Sequence, residues 1–128
     1  MRLAAFLLLA TILLAGCNGG TVDLHALTND SEGIDSLACE GALLANEVVD
    51  GDSLAPFTRV HAGELGMRAS NFEDALSERP TTPGIERAVR REAAKARRIA
   101  GLLDELAAAD SQDAARLKSR LKREGDCP

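Results

Sequence analysis

The side chains best suited to chemistry in this chain are its three cysteines, and the first of them, Cys17, ends an apolar N-terminal segment. A positive N-terminus precedes an apolar run over residues 3–14, and Ala15-Gly16 places small side chains directly before the Cys17 thiol. A charged start, an apolar stretch and a small-residue cleavage site are the parts of a secretory signal. Because the run is well short of the ~20 residues that span a bilayer, a permanent membrane span is the weaker interpretation.

The order Leu14-Ala15-Gly16-Cys17 resembles the lipobox of bacterial lipoproteins. The resemblance implies that the Cys17 thiol is joined to diacylglycerol, that cleavage falls between Gly16 and Cys17, and that the new amine takes a further acyl chain such as palmitate. Two or more acyl chains hold a protein stably on a membrane. Asn18, in place of aspartate, implies release to the periplasmic face of the outer membrane. The alternative is an ordinary secretory signal in which Cys17 is a chance cysteine.

The other two cysteines, Cys39 and Cys127, lie far apart in the sequence. An exported chain enters an oxidising compartment, where paired cysteines usually form disulfides. We therefore expect a Cys39–Cys127 disulfide that encloses nearly the whole folded region. The alternatives are two free thiols or a metal-binding pair, although two isolated cysteines without local spacing make a poor metal site.

The composition favours helices. Tyr and Trp are absent, and the only phenylalanines beyond the predicted signal are Phe57 and Phe72. A core of Leu, Ile, Val and Ala suits helices better than a β-sandwich. We predict an all-α protein: a signal peptide at 1–16, a lipidated N-terminus and flexible tether at 17–32, and one bundle of four or five helices at 33–128. The tether, at full extension, would reach ~40 Å.

Apolar periodicity predicts a first helix from about Asp35 to Asp50-Gly51. Its predicted buried face is Ile34, Leu37, Gly41, Leu44 and Val48. Asp52-Ser53 can cap a second helix. The predicted buried face of that helix is Phe57, Val60, His61 and Leu65.

A capping-box spacing at Ser70 and Glu73 predicts a further short helix. Thr82-Pro83, a hydroxyl followed by proline, predicts the start of a long helix. Its heptad-like seam is Ile85, Val89, Ala96, Ile99, Leu103 and Leu106. That helix either runs on to about Glu124 or restarts at Asp110-Ser111, with Ala114, Leu117 and Leu121 on its inner face.

Candidate catalytic and metal-binding groups are sparse. His61 and Glu64 have the helical spacing of two metal ligands, but a zinc site needs a third and usually a fourth. Neighbouring carboxylates such as Glu73-Asp74 point apart on a helix and do not converge. We therefore predict no catalytic residues, no metal site and no cofactor.

Arg87, Arg91, Lys95 and Arg98 form a basic stripe at helical spacing, flanked by Arg90 and Arg97. This stripe is the candidate partner-binding surface, facing anionic headgroups or an acidic partner. The alternative is a solvated face that pairs with the protein's own carboxylates. Nucleic acid is an improbable partner, because the chain has a net charge of −5, is predicted to be exported, and lacks aromatic stacking residues.

These features together favour a lipid-anchored envelope protein that holds or inhibits another protein in the periplasm, as an accessory, inhibitor or immunity protein. The partners expected are the membrane, through the lipid at Cys17, and an envelope protein. The alternative function is a structural or self-associating lipoprotein that forms homo-oligomers through a coiled-coil-like C-terminal helix.

Overall fold

The computed structural model describes residues 20–128, and this part of the chain forms four helices. They are α1 (Leu24–Asp50), α2 (Ala55–Glu78), α3 (Glu86–Leu106) and α4 (Ser111–Glu124). The predicted all-α bundle is confirmed. The predicted signal peptide, its predicted cleavage site at Gly16 and the predicted lipid attachment at Cys17 lie outside the described residues. A single bridge between Val22 and Thr81 is the strand-like pairing found within residues 20–128.

The helices form a closed ring in which each packs against its neighbours in the chain and α4 returns to α1; α3 also touches α1 across the bundle. Short connections make consecutive helices antiparallel. At 14 residues, α4 is about half as long as α1, which has 27. Lys118 on α4 reaches Asn46 on α1, and Gly125, just after α4, packs against Ala38. The first half of α1 therefore packs only against α2 and α3.

Local caps set three of the helix ends, and two of these, at Gly51 and Asp110, are where the sequence predicted them. The Asp23 carboxylate accepts a hydrogen bond from the Ala26 amide at 2.8 Å, and Asp110 caps α4 in the same way. Gly51 ends α1 with a φ of 77°, a left-handed conformation that glycine adopts at little cost. Because α3 and α4 are separate helices, the continuous helix to Glu124 is not formed.

The described part of the predicted tether is not a tether, and this prediction was wrong for residues 20–32. Helix α1 begins at Leu24, and Val22 is fully buried. The Val22 amide donates to the Pro80 carbonyl at 2.7 Å, and the Thr82 amide donates to the Val22 carbonyl at 2.9 Å. The Asp23 cap and the buried Leu27 extend the helix upstream of its predicted start. The prediction failed because the apolar residues of this segment, Val22 and Leu27 among them, are isolated in the sequence, as they are in a linker.

Helix α2 differs most from its prediction. It is continuous through Ser70 and Glu73, so no capping box forms, and Glu73 instead pairs with Arg97 on α3. Phe57 and Val60 are exposed rather than buried. The buried face of α2 consists mostly of small residues: Thr58, Ala62, Leu65, Gly66, Ala69 and Leu76. Small side chains let two helices approach closely, and this packing turned the larger residues outwards.

Helix α3 begins three residues later than predicted. Thr82-Pro83 heads a turn rather than the helix, and Gly84 follows with a φ of 100°. The predicted seam is nevertheless correct from Val89 to Leu106, because these residues lie in the core. The seam from Val89 onwards therefore packs inside the bundle, and Ile85 packs against it partly buried.

Replacing Gly101 with alanine is expected to stabilise the bundle by about 1 kcal/mol. Gly101 lies within α3, is exposed, and has no atom within 4 Å of where a Cβ would lie. Gly66→Ala is the control, because its Cβ would lie 3.1 Å from Asp104 Oδ1 and 3.6 Å from the Ala100 carbonyl. Urea unfolding measures both, and a less stable Gly101→Ala protein would contradict the expectation.

Candidate binding surfaces

Cys39 on α1 and Cys127 after α4 are paired as the sequence predicted. Their Sγ atoms are 2.06 Å apart, at disulfide-bonding distance, and 88 residues separate them in the chain. At the same place the Gly125 Cα lies so close to α1 that an added Cβ would be 2.8 Å from the Asp35 carbonyl. The bond therefore holds the C-terminal segment against the middle of α1.

His61 links α1 and α2 rather than forming a metal site with Glu64. Its Nε2 is 3.2 Å from Glu40 Oε1 on α1, while its Nδ1 is 4.0 Å from Glu64 Oε2. The imidazole also stacks on Phe57, with ring centroids 5.5 Å apart. Within residues 20–128, no group of three or more His, Cys, Asp or Glu side chains is arranged to hold a metal ion.

The structure divides the basic stripe into two parts, of which the first is neutralised inside the protein. Lys95 pairs with Asp35 on α1, and Arg98 donates two hydrogen bonds, of 3.0 and 3.1 Å, to Glu124 on α4. The bond to Glu124 raises the pKa of Arg98 above its usual value. These pairs connect α3 to α1 and to α4, so this half of the stripe is already occupied.

The adjacent Arg97 behaves in the same way on the other side of α3. Its Nε donates to Glu73 Oε1 at 2.6 Å, which raises the pKa of Arg97. The pair joins α3 to α2 at the surface. Three helices are thus held to α3 by its own basic side chains.

The second part of the stripe is unpaired. Arg87, Arg91 and the flanking Arg90 are exposed on the first two turns of α3. Among the described residues, none of the three has a carboxylate oxygen within 4.0 Å. We refer to Arg87, Arg90 and Arg91 as the arginine cluster. The remaining stripe residues belong to the ion pairs described above.

A second surface, which the sequence analysis did not identify, is apolar. We define the apolar patch by four side chains with large exposed fractions: Leu43 (69%), Phe57 (54%), Val60 (62%) and Met67 (62%). Leu43 on α1 and Phe57 on α2 line one groove, together with Glu40, Glu47 and His61. The spacing of the three α2 residues places them on one side of that helix. No signal in the sequence separated them from core residues, because their spacing is equally typical of a buried face.

Residues 20–128 thus form a small four-helix bundle closed by the Cys39–Cys127 pair. None of the helices in this range is both long and apolar enough to cross a membrane. Comparison of the chain with protein-family models, with curated proteins and with solved structures finds no match in any of the three.

Proposed function

We propose that this chain is a lipid-anchored binding protein, attached through Cys17 at the periplasmic face of the outer membrane, that holds or inhibits another envelope protein. The observation that carries the proposal is the apolar patch. The large side chains of Leu43, Phe57, Val60 and Met67 are exposed, while small alanines fill much of the core. Contiguous exposed apolar surface on a soluble domain is characteristic of an interaction site.

The charges around the patch indicate the chemistry of the partner. Glu40 and Glu47 border the groove between α1 and α2, and Glu64 lies on the same side of α2 as Val60. His61 and Arg68 partly balance them through contacts with Glu40. On its other side Leu43 lines a cleft with Lys118 and Lys122 of α4, so the acidic rim is the one between α1 and α2. The surface thus suits a partner segment with apolar side chains flanked by lysine or arginine. Such a segment would bury the patch and pair with its acidic rim.

The alternative function, self-association through a coiled-coil-like C-terminal helix, has less support. The α3 seam that would form the coiled coil, including Val89, Ile99 and Leu103, is buried in the core of the same chain. A coiled coil through that seam would require the bundle to open. A homo-oligomer would instead use the apolar patch. The crosslinking experiment below distinguishes such an oligomer from a complex with a different protein.

The proposal is tested by replacing Val60 with a photo-crosslinking amino acid in the native host. We expect an adduct with a different envelope protein after irradiation. Ala115, which is exposed on α4 and lines neither of the grooves that contain Leu43, is the control position and is expected to give no such adduct. An adduct of twice the chain's mass would support self-association, and equal labelling from both positions would contradict a specific patch.

The crosslinked partner then permits a quantitative test with purified proteins. Phe57→Ala is expected to weaken binding by at least about tenfold, as truncation of a central aromatic side chain does in other interfaces. Leu43→Lys, which places a positive charge opposite the partner's basic residues, is expected to weaken it further. An unchanged dissociation constant for both variants would overturn the assignment of this surface.

A further inference from the structure

The arginine cluster remains unpaired because the carboxylates nearest to it in the chain have other partners. Glu86 Oε2 accepts a hydrogen bond from the Gly84 amide at 2.9 Å. Glu92 Oε2 accepts one from Ser31 Oγ on α1 at 3.1 Å. Further along α3, Lys95, Arg97 and Arg98 each have a carboxylate partner. Within α3, the positive charge that is free to meet a partner is therefore concentrated in the first two turns.

The same end of the bundle is where the N-terminal segment arrives. The Gly20 carbonyl accepts a hydrogen bond from Arg79 Nε at 2.9 Å, and Val22 is held between Pro80 and Thr82. Helix α3 starts directly after this connection. Only two residues lie between Cys17 and Gly20. Even a fully extended backbone therefore places the Cα atoms of Cys17 and Gly20 at most about 11 Å apart.

We propose that the arginine cluster binds anionic lipid headgroups of the membrane in which Cys17 is anchored, and so holds the bundle on its side. The inference rests on the proposed lipid attachment, because the short connection brings α3 to the membrane surface. Arginine guanidinium groups near an anionic surface are attracted to its phosphates, and the attraction weakens with salt.

This orientation has a consequence for the apolar patch. Helix α2 lies between α1 and α3 in the ring, and Leu43 and Phe57 of the patch line the groove between α1 and α2. With the outer face of α3 on the membrane, the patch is directed away from the bilayer. The membrane contact and the proposed protein contact can therefore be made at the same time.

The first test is arginine footprinting of the full acylated chain in vesicles that contain phosphatidylglycerol, with phosphatidylcholine vesicles for comparison. The reagent is phenylglyoxal, and mass spectrometry gives the modification rate of each arginine. Anionic vesicles are expected to slow modification of Arg87, Arg90 and Arg91 by about fivefold each. Arg116 and Arg123 on α4 should react equally in both vesicles. High salt should remove the protection, and free inorganic phosphate without vesicles should not produce it.

The second test measures the thickness of the protein layer by neutron reflectometry. Helix α1 has 27 residues and is about 40 Å long, whereas a bundle lying on its side is about 20 Å thick. The wild type is expected to give the thin layer on an anionic bilayer. The triple variant Arg87→Gln, Arg90→Gln, Arg91→Gln should give a thicker one.

A matched control removes the same charge elsewhere, through Arg116→Gln, Arg120→Gln and Arg123→Gln on α4, and should retain the thin layer. Equal layers for both triple variants, or protection of the cluster only when native membrane proteins are present, would overturn lipid binding. The second outcome would assign the cluster to an acidic protein. Failure of the full chain to float with vesicles would refute the anchor at Cys17 and, with it, the proposed orientation. Flotation without protection of the arginine cluster would refute only the binding of lipid by that cluster.

Discussion

Removal of the Cys39–Cys127 bond is expected to lower the free energy of unfolding by about 4–5 kcal/mol, because the cysteines are separated by 88 residues and loop-closure entropy grows with that length. Domains of this size have a total stability of about 5–15 kcal/mol. The bond therefore accounts for a large share of the stability. Its loss should also free α4, which is the shortest helix and is tied to α1 at this point.

The measurement is urea unfolding of wild type and of the Cys39→Ala, Cys127→Ala double variant. Reduced wild type is the matched control, since it lacks the bond but keeps both side chains. Cys39 and Cys127 line an open cleft of about 280 Å³, so a small reductant should reach the bond in the folded protein. A loss below about 1 kcal/mol in both reduced and double-variant protein would show that the bond does not stabilise the fold.

Hydrogen exchange distinguishes a local effect from a global one. If the bond mainly secures the C-terminal segment, amides of α4 should lose protection in reduced protein before those of α2 and α3 do. Uniform loss across all four helices would instead indicate that the bond acts on the unfolded chain.

The parts of the fold that were predictable from the sequence were those with large, regularly spaced apolar residues. The buried positions Ile34, Leu37 and Leu44 of α1 and the seam of α3 followed from spacing alone. Gly51 and Asp110 marked helix boundaries through conformational and hydrogen-bonding preferences that operate locally. The predicted all-α bundle depended on these features.

Helix α2 was less predictable because its core face is made of small residues. Ala62, Gly66 and Ala69 are weak hydrophobic signals, whereas Phe57 and Val60 are strong ones, so the strong signals indicated the wrong face. Which face packs depends on how closely the neighbouring helix approaches, and that is a tertiary property. The apolar patch could not be recognised before this choice was known.

The basic stripe was visible in the sequence, but its division into paired and unpaired parts was not. Lys95 and Arg98 meet Asp35 and Glu124, which are 60 and 26 residues away in the chain. Such pairs arise only when the helices are arranged around one another. The candidate surface is consequently smaller than the four predicted residues and includes Arg90, which had been only a flanking residue.

The second large effect is expected at Leu103, which fills the space between two glycines of the neighbouring helices. It is fully buried; a Cβ on Gly41 of α1 would lie 2.5 Å from Leu103 Cδ2, and one on Gly66 of α2 would lie 3.5 Å from Leu103 Cβ. Leu103→Ala is expected to cost about 3–4 kcal/mol, through lost burial and the cavity that remains. Thermal and urea unfolding measure the loss.

The same geometry predicts that the effect of Gly41→Ala on stability depends on which side chain occupies position 103. In the wild type the new methyl group is expected to overpack Leu103, offsetting its gain in helix propensity, so that stability falls or is unchanged. In the Leu103→Ala protein the methyl group enters the cavity, and Gly41→Ala should then stabilise by about 1 kcal/mol. Leu117 is also fully buried, but it is not among the nearest neighbours of Gly41. In a Leu117→Ala background, Gly41→Ala should therefore give no such rescue. Additive effects of Gly41→Ala and Leu103→Ala would contradict the direct packing of α1 against α3 at this point, since residues in contact are expected to couple.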